Sequence, residues 1–382
     1  MKSRLAVVFL AVSAAACSDA PTSVSRVERS PALDANAVSS GTSTVRWNRK
    51  ALALFRARGG NPGRALAYLG VAQYRAALAA TEAKQGQARP SVAGAVAAAS
   101  ARVLKQFYPL DVGSIDSDLA AQRAEERFGS ERNRDFSSGE AIGDSVGLTV
   151  LALAATDNFG LTNPGTPPVG AGKWVSSGAP IVRGGYGARP FFLTSGSELR
   201  RGPPPAFGSA EFLAALAEVR AFSDGRTPAQ VAITQAWVPF SGAILTGVTT
   251  DMIDKYHRSE VEAARILAYA NTAAFDAIIA CFDTKFTYWF IRPTQADPGI
   301  TTAVGLPNHP SYPSAHSCES GAFEGILVDA FPAEREEIEA LVQQANMSRI
   351  IGGLHYSFDG QAGLAIGRET AHLALTRRSI EN

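Results

Sequence analysis

SEVEAARILAYANTAAFDAIIACFDTKFTYWFIRP, residues 259–293, is the stretch on which the fold turns. Apolar and alanine positions recur along it at three and four spacing, which is a helical period, and a proline closes it. It predicts a long helix, or two abutting ones, ending at Arg292 before Pro293. On such a helix Lys285 and Arg292 lie two turns apart, so they emerge on nearly the same side, about 10 Å apart along the axis. Between them stand Phe286, Tyr288, Trp289 and Phe290. Two cations on so apolar a face need an anion or water, although one basic residue near a helix C-terminus is also favoured by the macrodipole.

The same period extends upstream. PGRALAYLGVAQYRAALAATEA (62–83), VAGAVAAASARVL (92–104) and LAAQRAEERF (119–128) read as amphipathic helices, and further helices are predicted over 138–155, 209–221, 228–238 and 242–256. Residues 159–207 interrupt the series with NPGTPPVGAGKW, RGGYGARP and RGPPPAF. Irregular excursions of that length are usually functional or mobile, so this loop is a candidate cap for a site. No run of alternating β-branched residues demands a sheet, and no fixed-period repeat is present. The fold class is therefore all-α, with one helical domain over 46–382.

The composition, 46% hydrophobic and 19% charged over 382 residues, is globular. A formal net charge of +1 gives no general attraction to nucleic acid or anionic membrane, so anion binding has to come from local clustering. MKSRLAVVFLAVSAAAC (1–17) has two basic residues, an apolar core and small residues leading to Cys17, an export signal pattern. A cysteine directly after Ala14, Ala15 and Ala16 resembles the bacterial lipoprotein box, which makes Cys17 the lipidation candidate; a plain cleavable signal with an incidental cysteine is the other reading. The mature chain is expected outside the cytoplasm, periplasmic or at the cell surface, touching membrane only through that anchor. Residues 18–45, rich in Ser, Thr, Ala, Asp and Pro, read as a flexible linker. Beyond the signal, no stretch reaches the ~18 apolar residues that span a bilayer.

Two further motifs follow the opening pair. In NHPSYPSAHSCESGAF (308–323), Ser314 stands where an N-cap belongs, ahead of a helical pattern continuing to Ala330, and His316 projects from its first turn. A helix N-terminus offers unpaired N–H groups to an oxyanion, while a lone histidine is more often simply hydrogen-bonded structure. In SRIIGGLHYSFD (348–359), Asp359 lies four residues after His355, so on a helix it reaches one imidazole nitrogen and leaves the other free to attack or ligate. Arg349 adds a third permanent cation. Gathering three cations is costly without an anion: two unit charges at 4 Å repel by about 4 kcal/mol at an effective dielectric of 20.

K-x6-R-P, P-S-x-H and S-R-x5-H-x3-D, in this order over 285–359, resemble the signature of the vanadium-dependent haloperoxidases and of the related acid phosphatases in the type 2 phosphatidic acid phosphatase superfamily. Residues 231–283 also look like the bacterial haloperoxidase branch. The resemblance implies a helical bundle in which Lys285, Arg292, Ser314 and Arg349 bind the equatorial oxygens of vanadate, with phosphate as competitor or substrate group. It implies His355 as the vanadium ligand, or as the nucleophile of a phosphatase; His316 as acid/base; and Asp359 as the residue orienting His355. Position 315 departs from the pattern. The family has glycine there, and Ala315 keeps the N–H without strain only if its φ is negative.

Phosphate and vanadate share shape and charge, so the cradle alone does not choose the chemistry. The length of the chain and the segment HPSYPS (309–314) favour haloperoxidase, because the latter resembles algal bromoperoxidases in placing a histidine, here His309, seven residues before the acid/base histidine. Hydrogen peroxide, halide (bromide or iodide before chloride) and an organic acceptor are then the small-molecule partners. The alternatives are a phosphomonoesterase working through a phosphohistidine at His355, and a non-catalytic oxyanion-binding lipoprotein. If the motifs converge on one anion, Cys281 and Cys318 come near bridging distance, giving either a disulfide or two buried thiols.

Overall fold

The computed structural model describes residues 41–83, 89–126, 131, 133–182 and 185–381. The export signal, Cys17 and most of the linker lie outside the described residues. Among the described residues thirteen α-helices follow one another: α1 (Ser43–Arg58), α2 (Pro62–Glu82), α3 (Val92–Phe107), α4 (Val112–Glu126), α5 (Phe136–Ala154), α6 (Ala210–Gly225), α7 (Pro228–Ala236), α8 (Ser241–Lys255), α9 (Glu260–Tyr288), α10 (Pro293–Ala296), α11 (Ala315–Ala330), α12 (Arg335–Ile351) and α13 (Ser357–Arg377). Among the described residues the sheet content is one two-residue parallel pair, Arg89–Pro90 with Arg134–Asp135, and an isolated bridge. The all-α expectation holds.

α9 is the axis. A capping box starts it, with the Ser259 hydroxyl accepting from the Glu262 amide while the Glu262 carboxylate takes the Ser259 N–H. From there its alanines and large apolar residues are buried on nearly every side, against α2, α11 and α13. It is long and apolar enough to cross a membrane, more so than the sequence pattern indicates; yet 89% of its most apolar window is buried within the protein, as in a core helix. α11 and α13 pack closest of all. A Cβ at Gly363 would stand 2.6 Å from the Ser314 carbonyl, and one at Gly321 2.6 Å from that of Leu364, so glycine sets the spacing of these two helices.

The chain leaves α9 earlier than expected. Trp289 turns left-handed (φ 51°, ψ 44°), its N–H closing on the Lys285 carbonyl at 2.8 Å, and the indole stacks on Trp174 with centroids 6.1 Å apart. The following residues pair with the loop instead of continuing the helix: Trp174 N–H donates to the Trp289 carbonyl, and Ile291 N–H to that of Gly172. Arg292 is therefore the N-cap of α10, and Lys285 and Arg292 do not share a helix face. The linker also ends sooner. Glu260 accepts the amides of Ser43 and Thr44 at 2.8 and 2.7 Å, which starts α1 at Ser43.

The described residues of 159–207 are irregular apart from a 3-10 turn at Gly196–Leu199. They do not cap the cavity described below; they buttress its rear, with Trp174 packed among Phe282, Phe286 and Trp289. Asp276, in mid-α9, pins this excursion: its buried carboxylate accepts the amides of Phe191, Phe192 and Leu193 at 2.8, 2.7 and 3.1 Å. Burial pushes Asp276 up to about 7, against the pull of the three amides.

Asp276→Ala leaves three amides without their acceptor, at about 1–3 kcal/mol each, and should lower the unfolding free energy by about 3 kcal/mol or more. Urea denaturation checks the size, and hydrogen exchange at residues 191–193 checks the place. Full protection there, with a loss under about 1 kcal/mol, would refute the pin.

Candidate functional site

The two cations of the opening stretch meet not an acid but the peptide segment 309–313. The Lys285 ammonium, fully buried, donates to the carbonyls of Pro310 (2.9 Å), Ser311 (2.7 Å) and Pro313, which occupies its three N–H groups. Burial lowers Lys285 to about 8. Arg292, also fully buried, sends Nε to the His309 carbonyl (3.0 Å) and Nη2 to His309 Nδ1 (3.0 Å). Its Nη1 reaches both the Leu354 carbonyl (2.7 Å) and His355 Nε2 (3.0 Å). Burial brings this guanidinium to about 10, so it stays charged at neutral pH.

Arg292 has only hydrogens to give, so the His355 Nε2 facing it carries a lone pair and the ring proton sits on Nδ1. That proton goes to Asp359 Oδ2 at 2.8 Å, an oxygen that also accepts from the Ser311 hydroxyl (2.5 Å) and the Tyr356 amide (3.2 Å). The expected contact is present, but not along a helix. Tyr356 is the N-cap of α13, His355 precedes it, and Asp359 sits in the first turn. Burial, then Arg292 and Lys285, depress His355 well below the ordinary imidazole value, so it is neutral. Burial pushes Asp359 up to about 6, with Ser311 and the two cations holding it down.

α11 brings the second motif. Ser314 caps it, its hydroxyl accepting from the Ser317 amide (3.3 Å) and hydroxyl (2.9 Å). That hydroxyl is fully buried and accepts twice within the cap. Ala315 is the first helical residue and is not among the positive-φ positions, so alanine is unstrained and its amide has no intrahelical acceptor. His316 directs Nε2 to the Trp237 carbonyl (2.9 Å), with that of Pro239 at 3.3 Å; this makes Nε2 the donor and leaves Nδ1 the basic nitrogen.

Arg349, near the end of α12, is 4% exposed. It gives Nε to the Ser348 hydroxyl (2.9 Å) and Nη2 to the Thr234 carbonyl (3.0 Å), and no carboxylate among the described residues pairs with it. Burial brings it to about 10, still a cation. A buried charge without a counter-ion carries several kcal/mol of desolvation.

These groups surround a cavity of about 130 Å³. His309, Ala315, His316, Arg349 and His355 line it, while Lys285, Arg292, Ser314 and Asp359 stand behind the wall and hold it. Sequence reading missed Glu319, which also lines the cavity and accepts from the Ser241 hydroxyl (2.5 Å) and the Gly242 amide (3.2 Å). The signal was there, for Glu319 follows Ala315 by one turn on the same helix face. Cys281 and Cys318 do come together, but as buried free thiols in contact with each other, not as a disulfide. Among the described residues no cluster of three His, Cys, Asp or Glu could hold a metal cation. The donor set suits an oxyanion, with one imidazole lone pair, buried guanidinium groups and a helix-start amide.

No family model matches the chain, and no curated protein sequence does either. Solved structures do match. The chain resembles the crystal structure described as the first bacterial vanadium-dependent iodoperoxidase, with a TM-score of 0.74 at 21% identity, over 88% of this chain and 95% of that one. It also resembles a bacterial vanadium-dependent chloroperoxidase at 14% identity: in the apo form with a TM-score of 0.64 over 83% of this chain and 93% of that one, and in the holo form with 0.65 over 83% and 91%. The fold is shared with these proteins.

In nitrogen-15 histidine NMR, His355 should be the neutral Nδ1–H tautomer at pH 7 and should stay neutral as the pH falls through the ordinary histidine value near 6.5, because burial and the two cations hold its protonation well below that value. A His355 that takes up a proton near pH 6.5 would overturn the geometry given above.

Proposed function

We propose that the chain is a vanadate-dependent haloperoxidase that oxidises halide, bromide or iodide ahead of chloride, with hydrogen peroxide. One observation carries the reading: His355, its Nε2 held unprotonated between Arg292 and Asp359, lines a cavity that is also lined by Arg349, a buried cation with no carboxylate partner among the described residues. The residues fit vanadate. His355 Nε2 would be its ligand, and the Arg349 guanidinium and the Ala315 amide would meet its oxygens. Arg292 has one N–H not given to protein, whereas the three of Lys285 are taken by carbonyls, so Lys285 contributes charge rather than a bond. Bound vanadate would supply Lewis-acid activation of hydrogen peroxide toward halide.

The chain's own groups do the rest. Asp359 keeps the proton on Nδ1, so Nε2 keeps the lone pair that Arg292 Nη1 faces at 3.0 Å and that vanadate would take over. His316, fixed through Nε2 by the Trp237 carbonyl, receives and returns the proton of peroxide at Nδ1. His309 lines the cavity with its Nδ1 between Arg292 Nη2 (3.0 Å) and the Pro310 carbonyl (3.2 Å), and it is the candidate halide-site residue. The bromide or iodide preference draws support from that imidazole in the lining. The apolar run ending at Cys17 supports an exported, lipid-anchored location, periplasmic or at the cell surface, with residues 18–42 as the tether.

The chain lacking residues 1–17, loaded with orthovanadate, should brominate a dye with hydrogen peroxide, and His355→Ala should abolish this. Aryl phosphate turnover without vanadate-dependent bromination would favour a phosphohistidine phosphatase instead, and silence in both assays a binding protein. Asp359→Ala should weaken vanadate binding about 10–100-fold in a direct titration; unchanged affinity would remove Asp359 from the site.

A further inference from the structure

One pair of nucleophilic side chains has no part in the site described above. Cys281 lies on α9 one turn before Lys285, and Cys318 lies on α11 two residues after His316. Both thiols are free and fully buried, and they touch each other. Cys281 Sγ also reaches the Pro313 carbonyl at 3.9 Å, the oxygen that accepts from the Lys285 ammonium as well. Ile278 and Phe282 flank Cys281 along α9, Ala315 and Glu319 flank Cys318 along α11, and all four line the cavity. The sulfurs therefore sit one layer behind the cavity wall.

We propose that Cys281 and Cys318 are a dithiol that hydrogen peroxide converts reversibly to a disulfide, tying α9 to α11 and weakening the hold of the site on its anion. The crosslink itself needs only peroxide, whereas its bearing on vanadate rests on the haloperoxidase reading. Contact between the thiols decides the product: a sulfenic acid formed on one sulfur meets the other thiol at once, so oxidation stops at the disulfide. Peroxide is neutral and little larger than water, and it is the oxidant that the proposed reaction brings into the cavity. Burial pushes the Cys318 thiol up, with the Lys285 charge opposing, so thiolate is scarce. The pair thus answers to sustained peroxide and not to each turnover.

The steps balance. One sulfur attacks a peroxide oxygen, a sulfur–oxygen bond forms as the oxygen–oxygen bond breaks, and the departing hydroxide takes the thiol proton as water. The second sulfur then attacks the first, a sulfur–sulfur bond replaces the sulfur–oxygen bond, and a second water leaves. Peroxide gains the two electrons that the thiols lose. Sulfurs in contact have to draw together to bond, and Cys281 gives up the hydrogen that faces Pro313. Lys285, Ala315 and His316 ride on the two segments that move, and a shift of about 1 Å in such a site costs on the order of 100-fold in rate.

The chain lacking residues 1–17 keeps only these two cysteines. Treated with hydrogen peroxide in the absence of halide and vanadate, it should lose two hydrogen masses, and non-reducing peptide mapping should find Cys281 joined to Cys318. Its vanadate affinity, read by direct titration, should then fall at least about tenfold and return with dithiothreitol. The double variant Cys281→Ala, Cys318→Ala should keep its affinity through the same treatment. Crosslink and reversal are read on the unaltered sequence, so the test stands even where the variant fails to fold. Two free thiols under peroxide that oxidises the methionines of the same sample, sulfinic acid in place of the crosslink, a crosslink that leaves vanadate affinity unchanged, or an equal loss in the double variant would each overturn the switch. An untreated protein that binds no vanadate would overturn the haloperoxidase reading instead, and the mass would still decide the crosslink.

Discussion

The guanidinium of Arg292 is the joint on which the site hangs. It is fully buried, and it binds three separate stretches of chain: its own position between α9 and α10, the carbonyl and ring of His309, and the Leu354–His355 corner before α13. A planar, permanently charged fork can serve so many acceptors in one plane, and a lysine cannot. It also fixes the state of its neighbours, for a group that only donates makes each imidazole nitrogen facing it an acceptor. The reactive tautomer of His355 follows from Arg292 on one side and Asp359 on the other.

Around this joint the helices are placed with little slack. Gly363 lets α13 lie against the start of α11, which sets the Ala315 amide and His316 beside the His355 corner. Asp276 ties the irregular 190s segment to α9, and Trp174 and Trp289 close the rear of the wall. The long loop therefore belongs to the scaffold of the site and not to its entrance, which α2, the α7–α8 corner and residues 304–307 form together.

Much of this was legible in the sequence, and the failures have physical causes. The ordered motifs picked out Lys285, Arg292, Ser314, His316, Arg349, His355 and Asp359, and it was the resemblance those motifs carry, not spacing alone, that implied a role for each. It could not say which of them face the cavity. Lys285 and Ser314 turned inward to satisfy carbonyls and a helix cap, contacts that depend on tertiary register and leave no periodic trace. The left-handed Trp289 was invisible for another reason: an aromatic residue gives no warning of positive φ, and its stacking on Trp174 comes from a loop more than a hundred residues upstream. Glu319 was missed by omission, and Leu66 because nothing in α2 announces that it meets α9 and α11 at one cavity.

The acceptors that hold the buried cations are mainly peptide carbonyls, from Thr234, His309, Pro310, Ser311, Pro313 and Leu354. Carbonyls do not titrate. A cradle neutralised by carboxylates would come apart in acid as its partners took up protons, whereas the carbonyls here keep their hold on Lys285, Arg292 and Arg349, and it is the contact of Asp359 with His355 that acid reaches. Acid therefore acts on the tautomer of one imidazole and not on the anchors of the three buried cations.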